Sequence, residues 1–191
     1  TDGHPAIYYA ARNSQPTDTE ASRQLVHASD PADVASAEKP DRSEYDQFVE
    51  LCGSGTPQEI ERAAQKFRNI NILDRSGKTP LSVAATYNKD TRVTRVLLKA
   101  GANVNTRNED GRPPLWGAAR WGKNPAQIKL LLDSGAKVND ASGILAAAAD
   151  WHGNPEIISL LLARGANPNL LGNDGSHPLV TAAGNGETVK A

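Results

Sequence analysis

Leu97-Leu98-Lys99-Ala100-Gly101-Ala102-Asn103-Val104-Asn105 returns twice in this chain of 191 residues. It comes back as Leu131-Leu132-Asp133-Ser134-Gly135-Ala136-Lys137-Val138-Asn139 and as Leu161-Leu162-Ala163-Arg164-Gly165-Ala166-Asn167-Pro168-Asn169. The steps between the Gly-Ala pairs are 34 and 30 residues. A second landmark, Pro80-Leu81, Pro114-Leu115 and Pro178-Leu179, keeps the same irregular spacing, with Leu115 and Leu179 separated by 64 residues. Self-similarity at this period is the signature of stacked supersecondary units.

Each unit reads as two short antiparallel helices. Thr79-Pro80 is a helix start, with threonine as N-cap and proline at the first helical position, where its missing N–H costs nothing. Ala84-Ala85, Ala118-Ala119, Ala148-Ala149 and Ala182-Ala183 lie on the first helices, and small residues there let neighbours approach closely. Asn124-Pro125 and Asn154-Pro155 start second helices by the same chemistry. Their apolar stripes are Ile128, Leu131, Leu132 and Ile158, Leu161, Leu162, at i, i+3, i+4. Gly101, Gly135 and Gly165 stand where a left-handed residue closes a helix. Asp110-Gly111 and Asp174-Gly175 then read as hairpin tips.

These residues resemble the ankyrin repeat family. The family's Asp-x-x-Gly-x-Thr-Pro-Leu, Ala-Ala, Leu-Leu and Gly-Ala-x-x-Asn pattern is nearly complete from Asp74 to Asn105. The tight links Lys123-Asn124-Pro125 and Gly153-Asn154-Pro155 resemble the bacterial variety. The resemblance implies an all-α solenoid of about six helix-turn-helix units with β-hairpin tips, the first and last incomplete. The expected units of this single 1–191 domain are 1–33, 34–71, 72–105, 106–139, 140–169 and a partial 170–191. Asp2-Gly3-His4-Pro5-Ala6-Ile7 with Ala10-Ala11 matches the start of a unit. The next is degenerate, with Phe48, Val49 and Leu51 as its first helix and Thr56-Pro57-Gln58-Glu59 as a capping box opening its second. About four extra residues near Ala35 to Pro40 predict a longer loop. Asn139 to Leu145 spans only 6 residues where Asn105 to Leu115 spans 10, which predicts a notch in the row of tips.

A stacked repeat array buries an apolar face that no single unit can bury, and it works by binding. The resemblance implies a non-catalytic protein-protein interaction module, contacting its partner with tips and first helices. Tyr87, Trp121 and Trp151 each sit two residues after an Ala-Ala pair, so stacking puts them in a row. Trp116 shares a helix with Trp121. Trp and Tyr are enriched in binding hot spots, and four of the chain's nine aromatics fall here. The competing reading is that these rings cover helix ends against the next unit.

Charge is segregated. Residues 1–61 hold 4 basic and 12 acidic side chains, residues 62–132 hold 14 and 4, and residues 133–191 hold 3 and 6, for a net charge of −1. Arg75, Lys78, Arg107, Arg112 and Arg120 fall on tips or first helices, so the expected partner is an unidentified protein with an acidic surface. A simple solvated face is the plainer account, and Lys89, Arg92, Arg95 and Lys99 fit it.

No P-loop, nucleophile elbow or His-Glu-x-x-His motif is present, so neither enzyme chemistry nor a cofactor is expected. His4 and His177 stand at tip-to-helix junctions and read as structural. The single cysteine, Cys52, excludes an internal disulfide and a cysteine zinc site and reads as a packing residue. No apolar run approaches a membrane span. Two alternatives stay open. One is a single-stranded nucleic-acid binder using basic and aromatic side chains, which the acidic first third opposes. The other is a regulatory or targeting segment of a longer protein. The chain opens at Thr1 and has no methionine, so processing or trimming is expected, and Ala191 falls inside an expected second helix. A monomer is the default, and the cytoplasm is slightly favoured over export or the periplasm.

Overall fold

The computed structural model describes residues 42–184 apart from Lys123, Ala141, Trp151, His152 and Asn173. These residues belong to the compact unit Pro40–Ala191. The expected first unit, the inserted loop near Ala35 to Pro40, His4 and Trp151 lie outside them. The helices are α1 (Arg42–Leu51), α2 (Pro57–Ala64), α3 (Pro80–Tyr87), α4 (Thr91–Lys99), α5 (Pro114–Arg120), α6 (Pro125–Asp133), α7 (Ile144–Ala148), α8 (Pro155–Ala163) and α9 (Pro178–Gly184). First helices stack in the order α1, α3, α5, α7, α9, and second helices in the order α2, α4, α6, α8. The result is a two-layered all-α repeat solenoid.

Local chemistry sets the ends of the helices. Thr56 and Thr79 each accept from the N3 backbone while Glu59 and Ser82 reach back to the cap, closing two capping boxes. Asn124 and Asn154 accept from the N–H groups of Ala126 and Glu156. Gly101, Gly135 and Gly165 have φ of +95°, +90° and +85°. At the first of them, the Ala102 N–H reaches Leu97 O at 2.9 Å and the Gly101 N–H reaches Leu98 O at 3.1 Å. That crossed pair satisfies carbonyls the helix leaves open and turns the chain back towards the tips.

The tips differ from expectation. No strand occurs among the described residues. Each regular tip is a turn closed by main-chain bonds, such as Asp74 N–H to Lys78 O and Gly77 N–H to Asp74 O, with Asn108 to Arg112 built alike. The chain enters the next helix cap at Thr79 or Pro113 at once, which leaves no arm long enough for a ladder.

The core runs through the middle of the stack. Val93, Leu97, Leu115, Ile128, Leu131, Ile157 and Leu161 are completely buried. Three asparagines join the units. Asn105 donates from Nδ2 to Gly135 O and accepts at Oδ1 from Lys137 N–H. Asn71 joins Gly101 and Asn103 in the same way, and Asn139 joins Gly165 and Asn167.

Gly117 lets α5 approach α3. A Cβ there would lie 2.3 Å from Thr86 Oγ1, whose hydroxyl donates to Ser82 O. Gly117→Ala therefore destabilises by about 1 kcal/mol alone, through overpacking. In a Thr86→Ala background the same change stabilises by up to about 1 kcal/mol, through helix propensity. Urea melts of the four chains check this, and additive effects would disprove the contact.

Cys52 is fully buried beside α1, and burial pushes its thiol up to about 12. Tyr45, whose hydroxyl donates to Ile72 O, is raised too, chiefly by burial. The folded state thus holds protons that the unfolded chain releases from about pH 9, the thiol's ordinary value. Stability present below that pH is lost as pH rises. Urea melts at about pH 8 and 10 should show a loss on the order of 1 kcal/mol from the thiol, absent in Cys52→Ala.

Candidate protein-binding face

The face formed by the tips and first helices carries a groove between units 72–105 and 106–139. Lys78, Ser82, Thr86, Tyr87, Asn108, Arg112, Trp116 and Trp121 are among its walls. Tyr87 and Trp121 stand out of it, 59% and 53% exposed. They end α3 and cap α5, at the same register in adjacent units.

Trp116 does not join an exposed row. It is 7% exposed and belongs to the core. Its helix is flanked on both sides by neighbouring first helices. At its register, one residue after the repeat's leucine, the neighbours have Ser82 and Ala146, so the indole fills space that small side chains leave.

Trp116 also organises the cations. The Arg112 guanidinium lies 3.9 Å from its ring centroid, and Arg120 lies 5.2 Å from it and 4.8 Å from the Trp121 ring. Guanidinium and indole thus alternate along the face as Arg112, Trp116, Arg120 and Trp121. Helical spacing explains part of this, because i and i+4 put Arg120 beside Trp116. Arg120 is also paired with Asp150, and its Nε is buried without a hydrogen-bond partner among the described residues. A planar cation fixed between rings has little side-chain freedom left to lose on binding.

The other two arginines are placed differently. Arg107 donates to Asp140 at 2.7 Å and to Gly111 O, tying one tip to the next unit. Arg75 pairs with Asp46 at 3.1 Å, at the entrance to a separate groove against α1. The structure therefore gathers Arg112, Trp116, Arg120, Trp121 and Tyr87, and leaves Arg75 and Arg107 outside the cluster. Asp150 was missed from sequence, although a signal existed. Arg120 follows Ala118-Ala119 as Asp150 follows Ala148-Ala149, so opposite charges share one register in successive units.

His177 accepts from the Leu179 N–H at Nδ1, at the start of α9. No group of three or more His, Cys, Asp or Glu side chains among the described residues is arranged to hold a metal. No helix among them is long and apolar enough to cross a membrane.

Comparison with protein families agrees with the architecture. The model described as Ankyrin repeats (3 copies) matches residues 49–142, and the one described as Ankyrin repeat matches residues 144–173. The chain belongs to the ankyrin repeat family. The match runs through the degenerate unit around Phe48 and Cys52 and through the shortened tip near Asp140. A search of curated proteins found no match. Ankyrin repeats are in general protein-protein interaction modules, and the groove described above lies on the tip and first-helix side of this one.

Proposed function

We propose that this ankyrin array is a non-catalytic module that binds an acidic protein or peptide surface on its tip and first-helix face. One observation carries the reading. Tyr87 and Trp121 are exposed at matching register, and Trp121 continues into the fixed series of Arg120, Trp116 and Arg112. Large exposed aromatics beside ordered guanidiniums are the residue types that dominate interface energetics. The excess of basic residues between 62 and 132 favours an acidic counterpart and steers its approach.

The test is a paired capture from lysate of the source cell. One bait is the intact chain, and the other is Tyr87→Ala, Trp121→Ala, confirmed as helical by circular dichroism. An acidic protein held by the intact bait alone supports the proposal. Equal capture by both baits rejects this face. Capture of nucleic acid in place of protein rejects the partner class.

A further inference from the structure

The shortened tip leaves a second feature on the same face. Asp140 is drawn under Arg107, and α7 starts directly from Gly143. A Cβ on Gly143 would meet Gly172 Cα at 2.7 Å, so the following tip closes down on this point. Between the flanking tips there remains a cavity of about 210 Å³, lined by Asp110, Arg112, Ser142 and Asp174. Ser142 is 93% buried (7% exposed), and its Oγ has no hydrogen-bond partner among the described residues.

The neighbouring acids are not equivalent. Asp140 is engaged by Arg107, and Asp150 by Arg120. Asp110 is 66% exposed and has Arg112 only at 3.9 Å, because that guanidinium lies on the Trp116 face. Asp174 accepts from the Ser176 N–H through Oδ1. The cavity thus presents two carboxylates against one guanidinium, with a buried hydroxyl at its wall. We propose that this notch is a subsite for a single arginine side chain of the bound protein. A guanidinium offers five donors in a flat fork and can meet Asp110, Asp174 and Ser142 together. A lysine ammonium has three donors around one point and reaches fewer of them. The partner is then dipolar, with acidic groups towards the basic centre of the array and an arginine seated at the notch.

This inference rests on reading the face as a protein-binding surface, and its test is kept separate. N-acetyl-arginine methylamide is titrated into the full chain, and backbone amide NMR shifts are followed. Saturable shifts centred on Gly111, Ser142, Gly143 and Gly175 are expected. N-acetyl-lysine methylamide should bind several-fold more weakly. Asp110→Asn, Asp174→Asn should weaken the arginine probe roughly tenfold or more, on the scale of charge-assisted hydrogen bonds. Asparagine keeps the turn acceptor, and Asp110→Asn alone serves if the double variant melts early. Non-saturating or scattered shifts, equal binding of the lysine probe, or indifference to the Asn variants would overturn the subsite. Tyr87→Ala, Trp121→Ala should bind the probe normally, so failure of the aromatic site and failure of the notch read out independently.

Discussion

Trp121→Ala weakens binding of the protein partner by about 2 kcal/mol or more, roughly thirtyfold in Kd, while leaving the array folded. The two effects separate because of where the residue sits. Trp121 is the C-cap of α5, and the cap bond runs from its main-chain N–H to Gly117 O. That bond survives the substitution. The indole is half exposed, so the core loses little. Arg120 loses one ring but keeps Trp116 and Asp150. Fold stability should fall by less than about 1 kcal/mol, as for surface changes in general. Calorimetric titration with the captured partner, beside a urea melt of each chain, measures both quantities. An unchanged Kd would remove Trp121 from the binding site.

Leu131→Ala has the opposite profile. Leu131 is completely buried on α6, and its carbonyl accepts the Ala136 N–H that closes the helix. Truncation removes transfer energy and leaves a cavity, for a loss of about 2–5 kcal/mol in a urea melt. The damage falls mid-array, where α6 packs on both α4 and α8. In a nearest-neighbour stack a weakened unit loosens both junctions, so the transition should also broaden. A loss under about 1 kcal/mol would mean that the site collapses around the missing side chain.

Much of the architecture was legible because its determinants are local. Thr79-Pro80, Asn124-Pro125 and Asn154-Pro155 announce helix starts by chemistry confined to three or four residues. Gly101, Gly135 and Gly165 announce the ends in the same way. The tips were misread as hairpins because Asp-Gly reports a turn and says nothing about the length of its arms. Trp116 was ambiguous for a different reason. Its burial depends on the sizes of Ser82 and Ala146 in neighbouring units, so only alignment of all units at one register exposes the vacancy that it fills. The same alignment finds the Arg120–Asp150 pair. The spacing of the aromatics marked the region of the face, whereas the fixed order of cations and rings along it needed side-chain geometry.

The asparagine bridges have a consequence for how such a protein can change over generations. Asn71, Asn105 and Asn139 grip only peptide groups of the following unit. These polar joints therefore have no address, since every unit with the same turn offers the same handle. Excising residues 106–139 would set Asn105 before Asp140, and Asn105 would inherit the grip on Gly165 and Asn167. Duplication or loss of a whole unit can then leave this joint intact while the exposed tips acquire new specificities. A helical, cooperatively melting chain after that excision would demonstrate this freedom, and an unfolded one would show that side-chain packing between units holds the veto.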